Sequence, residues 1–247
     1  MTGLLALTER LVRMSFRNLD IVFAVIAPVL TFVGFTIALR SVIDTGDISY
    51  PQYVLPAVVV QAMLFGALNT TDLAATERAS EFGVRLRTFP ISAYAPMTAR
   101  MLYCLLRGSL ALIAAFAVAY PFGFRMDGGL LFGVGFVVLC LTLTLALSFG
   151  ADATGARAKR SDTSSQLLMI PQLLFVLLST GMAPVESFPN WVQPFVEYQP
   201  ISQITETLRG LASGQVIPAN LAITLMWCIG LLVGLGYLAV KSQKRTQ

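Results

Sequence analysis

The chain has 247 residues, of which 56% are hydrophobic and 12% charged, with no histidine, whereas water-soluble domains carry about 25% charge. Its mean hydropathy of +0.74 describes a protein that spends most of its length in lipid. With no histidine, no paired thiols and no Ser/His/Asp set, the composition argues against an intramembrane hydrolase or a metal enzyme; the net charge of +4 reads as a topology signal and implies no nucleic-acid partner.

In chain order, the first element is LLALTERLVRMSFRNLD. Its charged residues Glu9, Arg10, Arg13 and Arg17 exclude it from the hydrocarbon. At about 100° per residue, Leu4, Leu7, Leu11, Val12 and Met14 share one broad face and the charges gather opposite. Residues 1–19 are therefore expected to lie as an amphipathic helix on the membrane surface, its arginines against anionic headgroups. Packing against protein alone is the plainer alternative.

A membrane span needs about 20 mainly apolar residues, and six stretches qualify: 20–40, 53–72, 100–120, 129–150, 164–182 and 219–240. They are apolar on all faces, without the two-residue alternation of a barrel strand, so the predicted fold is all-α and integral to the membrane. With a cytoplasmic N-terminus, 14 of the 17 basic residues fall inside, leaving Arg40, Arg125 and Arg209 outside. That bias predicts both termini in the cytoplasm. The first apolar run is too long for a signal-peptide core, so no cleaved leader is expected.

The second span carries Gln61, Phe65, Asn69 and Asp72 within about 80° of one another on a helical wheel. In the fifth, Ser165, Gln172 and Ser179 recur every seven residues. Polar groups within spans bond neighbouring helices or line a path, and both readings stand for these residues. Cys104, Cys140 and Cys228 lack metal spacing and read as small apolar packing groups. Gly129/Gly133 and Gly230/Gly234 have the spacing of helix-packing pairs. Pro28 and Pro171 are expected to kink their spans. Ionisable residues are expected only near span ends.

Residues 73–99 form a polar interruption too long for a simple connector, which takes about 2 to 8 residues. Phe82, Leu86 and Phe89 recur at spacings of four and three, predicting a short amphipathic helix that stops before Pro90. Such a helix suits docking into a partner's groove or resting on the membrane surface. On the opposite side, residues 183–218 place Pro184, Pro189, Pro194 and Pro200 among Phe188, Trp191, Phe195 and Tyr198. This predicts short, partly re-entrant helices at the interface, the last N-capped by Ser202, or a plain structural hairpin.

Two of these strings carry a family resemblance. ERASEFGVRLRTFPIS resembles the cytoplasmic loop of type-2 ABC export permeases of the daunorubicin-resistance branch, with Glu77, Arg78, Arg85, Arg87, Pro90 and Ser92 in matching places. The family often has glycine near the position of Glu81; here it is Gly83. APVESFPNWVQPFVEYQPISQITETLRGL resembles the family's stretch before the last span, at Pro184, Phe188, Pro189, Trp191, Pro200, Ser202, Arg209 and Gly210.

The resemblance implies a single transmembrane permease domain over 1–247. It implies an ATPase-coupling surface at Glu77, Arg78, Glu81, Arg85, Leu86, Arg87, Phe89, Pro90 and Ser92. A substrate path would be lined by Gln61, Phe65, Asn69, Ser165, Gln172 and Ser179, and an extracellular gate built from Phe188, Pro189, Trp191, Pro200 and Arg209.

None of the three lysines follows a glycine, so the phosphate-binding string G-x-x-x-x-G-K-[ST] is absent. Energy would come from a separate ABC ATPase subunit holding ATP and Mg, with no cofactor bound by this chain. A second permease chain and membrane lipids complete the expected partners. The sparse charge of the path points to a hydrophobic or amphipathic small molecule or lipid, exported across a bacterial plasma membrane. A self-sufficient carrier or channel and a non-transporting scaffold subunit are the competing classes.

Overall fold

The computed structural model describes residues 2–41, 48–80, 92, 94–156, 161–181 and 183–244, with the side chains of 2, 161–168 and 243–244 left aside. Among the described residues the secondary structure is helical throughout: α1 (Thr2–Arg17), α2 (Asp20–Leu39), α3 (Tyr50–Ala79), α4 (Ala95–Ala119), α5 (Gly129–Gly155), α6 (Ser161–Leu177), α7 (Gln193–Tyr198), α8 (Pro200–Ser213) and α9 (Pro218–Lys244), with a 3-10 turn at Val185–Ser187.

Five helices are long and apolar enough to cross a membrane: Asp20–Leu39, Tyr50–Ala79, Ala95–Ala119, Gly129–Gly155 and Pro218–Ser242. The stretch expected as a fifth span, 164–182, is α6, whose 17 residues measure about 26 Å at 1.5 Å per residue. α6 packs along part of its longer neighbour α3. It begins just after the end of α5 and finishes at the first turn of α3, where the Tyr53 hydroxyl donates to the Thr180 carbonyl at 2.7 Å.

α3 is the central helix, in contact with α2, α4, α5, α6 and α8. Val54, Leu55, Val58, Val59 and Met63 give it a buried apolar spine. Lipid tails are as apolar as leucine, so close approach and hydrogen bonds hold such a bundle more than hydrophobicity does. Gly155 shows the first device: a Cβ there would stand 2.3 Å from the Thr71 carbonyl oxygen. Thr70 shows the second, its hydroxyl 2.8 Å from Cys104 Sγ across to α4. Of the two glycine pairs, Gly230 and Gly234 have open space beside them among the described residues. The neighbouring Leu235 fills the contact with Gly150 instead.

Two sequence expectations change here. α3 and α4 extend well past the expected span limits, to Ala79 and from Ala95, so the interhelical segment shrinks from 73–99 to 80–94. An ion pair between Glu77 and Arg100 (3.0 Å) supplies the reason, because it lets both helices keep charged turns. α1 forms as expected, but Leu4, Leu7, Leu11 and Met14 pack against Ala99, Tyr103 and Cys104 of α4 and Leu73 of α3. Its apolar face is covered by protein. Leu5 and Phe16, on a different side of the helix, are the large apolar residues that α1 leaves exposed.

Candidate functional site

At the α1 end of the bundle, two charged knots tie the helices. Asp20, in the first turn of α2, stands where a helix N-terminus favours a carboxylate. Its Oδ2 accepts from the Ser15 hydroxyl (3.1 Å), the Asn69 amide (2.8 Å), Arg107 Nε (3.3 Å) and the Tyr103 hydroxyl. Four helices, α1 to α4, thus meet on one oxygen. Nearer the ends of α3 and α5, Arg100 is only 4% exposed. Its Nε donates to Asp152 (2.6 Å) and its Nη1 pairs with Glu77.

Asp20, Glu77, Arg100 and Asp152 lie near helix ends, as expected of ionisable groups, and Arg107 is the exception. Arg107 is the thirteenth of the 25 residues of α4, counting from Ala95. Its Nε reaches Asp20, the first residue of α2, at 3.3 Å. Paired and only 8% exposed, it faces the bundle interior, as intramembrane charges do.

The residues expected to line a path divide. Gln61 and Phe65 border a narrow groove between α2 and α3, together with Phe23, Ala27, Pro28 and Arg107. Asn69 is drawn into the Asp20 knot. Gln172 is half-buried on α6, and the Ser165 side chain lies outside the description. Ser179 is buried beyond the end of α6, donating to the Val176 carbonyl at 2.6 Å. The seven-residue stripe therefore breaks, because the helix stops at Leu177 before a third repeat can form.

For the coupling surface, Glu77 is committed to Arg100 and Arg78 is exposed. Ser92 is exposed, and its hydroxyl accepts from the Tyr94 N–H at 3.3 Å where the chain turns into α4. Glu81, Arg85, Leu86, Arg87, Phe89 and Pro90 lie outside the described residues.

The far end of the bundle is built on Arg209 of α8. Its guanidinium stacks 3.6 Å from the centre of the Tyr53 ring. Nε donates to the Tyr53 carbonyl (3.0 Å), Nη2 to the Thr180 carbonyl (2.7 Å) and Nη1 to Glu206 (2.7 Å). The last carbonyls of a helix have no partner of their own, and side chains from α8 supply them here: the Gln199 amide donates to the Leu178 carbonyl.

Pro200 occupies the first turn of α8, with Gln199 as the preceding cap. Ser202 is not the N-cap it was expected to be. Because the helix starts at Pro200, its hydroxyl is buried and accepts from the Thr180 N–H at 3.1 Å. Phe188 is half-buried, Pro189 exposed and Trp191 84% exposed, so these three do not join the Arg209 cluster.

A sequence model described as ABC-2 family transporter protein matches residues 31–241. The chain belongs to the ABC-2 transporter family. A curated relative from Mycobacterium tuberculosis, the doxorubicin resistance ABC transporter permease protein DrrB, is 33% identical over 241 residues, covering 92% of this chain and 83% of the relative. The probable doxorubicin resistance permease protein DrrC of the same species is 23% identical over 232 residues, with 93% and 83% covered. The daunorubicin resistance permease protein DrrB1 of Streptomyces coeruleorubidus is 26% identical over 203 residues, with 81% and 72% covered.

The resemblance stated from the two loop motifs is thereby supported across the bundle of this ABC-2 permease. What sequence reasoning missed is the ionic framework: Asp20, Arg100, Tyr103, Arg107 and Asp152. The available signal was charge at positions where helical pattern continues, notably Asp152 following the apolar run of α5 without a break in periodicity.

Proposed function

We propose that this chain is the membrane-spanning subunit of an ATP-driven exporter that moves hydrophobic or amphipathic compounds out of the cell. The family match over residues 31–241 carries this reading; the relatives named for doxorubicin and daunorubicin resistance supply the cargo class. The permease sits in a bacterial plasma membrane with six spans, α6 being the fifth in chain order, and with both termini cytoplasmic, in keeping with its basic residues.

A separate ABC ATPase holds ATP and Mg, and a second permease chain completes the translocation unit. Force enters through residues 77–92, between the extended ends of α3 and α4. The Arg100 knot supports this reading, since it joins the bases of α3, α4 and α5 into one lever. The extracellular closure is formed by Phe188, Pro189, Trp191, Pro200 and Arg209, and the path by Gln61, Phe65, Asn69, Ser165, Gln172 and Ser179.

Charge reversal at Arg85 and Arg87 together tests the coupling. In reconstituted vesicles the double variant is expected to retain ATP hydrolysis by the complex and to lose at least about 90% of transport, roughly a tenfold change or 1.4 kcal/mol of coupling. Transport at the unaltered rate would remove this segment from the mechanism.

A further inference from the structure

The narrow groove between α2 and α3 encloses about 20 Å³ and is bordered by Phe23, Pro28, Thr31, Gln61, Phe65 and Arg107. Its walls are apolar except at Thr31, Gln61 and Arg107, and the last two have hydrogen-bonding capacity to spare. The Gln61 amide oxygen is buried with no hydrogen-bond partner among the described residues. Arg107 is 92% buried by its 8% exposure, yet only its Nε is engaged, by Asp20 at 3.3 Å. Nη1 lies against Gly66, where a Cβ would stand 3.2 Å from it. No described residue accepts from either Nη atom.

Leaving the buried Gln61 oxygen unmade costs about 1–3 kcal/mol, and a lipid tail can neither relieve that cost nor accept from Arg107. The two atoms ask for complementary things: a guanidinium donates and an amide oxygen accepts. Asp20 already balances the charge of Arg107, so the missing group has no need to be anionic. The enclosed volume admits about one water-sized group, which means the tip of a ligand and not its body. Phe23 is 63% exposed and Phe65 37% exposed at the rim, giving an apolar body two aromatic faces to rest on.

We propose that this groove is a binding subsite for a neutral, oxygen-bearing amphiphile: an apolar molecule that inserts a hydroxyl or carbonyl oxygen to accept from Arg107 Nη, a hydroxyl in addition donating to Gln61 Oε1. It assigns Arg107, absent from the expected path, as the donor that selects cargo, and Gln61 as the acceptor that favours hydroxyl over methyl. Only the description of this ligand as cargo rests on the exporter reading.

The test uses the full-length protein in lipid nanodiscs with pyrenemethanol and methylpyrene as fluorescent probes and empty nanodiscs as blank. The hydroxyl probe is expected to bind the unaltered protein at least about ten times more tightly than the methyl probe, about 1.4 kcal/mol. Gln61→Leu should reduce that ratio to below about two, in line with loss of a single hydrogen bond. Phe23→Ala, at the exposed rim, should weaken both probes alike.

Equal binding of the two probes to the unaltered protein, or an undiminished ratio in Gln61→Leu, overturns the subsite and leaves the groove to a bound water. Failure of the exporter reading has a different signature. A hydroxyl preference with no ATPase association rejects export while sustaining the subsite; ATP-coupled export without that preference does the reverse.

Discussion

The two ends of the bundle are held by different chemistry. At the α1 end, carboxylates and guanidiniums from separate helices meet in buried pairs, Asp20 with Arg107 and Arg100 with both Asp152 and Glu77. At the far end the guanidinium of Arg209 and the amide of Gln199 are spent mainly on backbone carbonyls at the end of α6 and the start of α3. Ion pairs can join helices at any point along them, whereas orphan carbonyls such as those of Leu178 and Thr180 occur only where a helix stops. The difference teaches that one end is a set of continuous helices clamped sideways, and the other a junction of helix termini held by α8.

If that contrast is right, the largest loss should come from a single cut at the α1 end. Arg100→Ala takes the guanidinium away from the fully buried Asp152 and the half-buried Glu77, and breaking a buried pair in this way costs about 3–5 kcal/mol. Thermal unfolding in detergent should show the variant as the least stable of the series. A midpoint within about 1 °C of the unaltered protein, corresponding to a few tenths of a kcal/mol at most, would dissolve the clamp.

The far end should yield less. Arg209→Ala removes three charge-assisted hydrogen bonds and the stacking on Tyr53, but the Gln199 and Ser202 contacts remain; a cost of about 2–3 kcal/mol is expected. Arg209→Lys sharpens the comparison, because lysine keeps the charge and loses the planar fork that reaches several acceptors. It should recover less than half of the loss in the same unfolding assay, and full recovery would show that charge alone matters there.

Smaller still is Asn69→Ala, which removes one of four donors to Asp20 and is expected to cost about 1–1.5 kcal/mol. At the bottom of the scale is Trp191→Ala. Its side chain is exposed and joins neither knot, so its stability effect should stay within about 0.5 kcal/mol. A larger effect would mean that the far end depends on more than α8.

Much of the bundle was legible in the sequence because a span is recognised by being apolar on every face, a property independent of its neighbours. The amphipathic pattern of α1 was equally plain, but a helical wheel tells which face is apolar and not what covers it. The wheel therefore left Leu11 open to lipid or to protein, and it is Tyr103 and Cys104 that cover it. Glu77 read as a loop charge and Arg100 fell at the first residue of an expected span; only the folded chain reveals that each is the other's partner.

Arg209 was legible through resemblance and its motif. Its target carbonyls at Tyr53 and Thr180, 156 and 29 residues away in the chain, were not. Asp20 escaped notice because it marks the boundary between two elements, where an acidic residue is ordinary helix-start chemistry.

The most direct test of the account is the ATP dependence of movement. The chain should be purified after co-expression with a candidate ABC ATPase subunit, reconstituted in vesicles and supplied with doxorubicin, the compound named in its relatives. The account predicts that the two proteins co-purify and that drug crosses the membrane only with ATP and Mg. Absence of a stable complex, or passage at an equal rate without ATP, would contradict it.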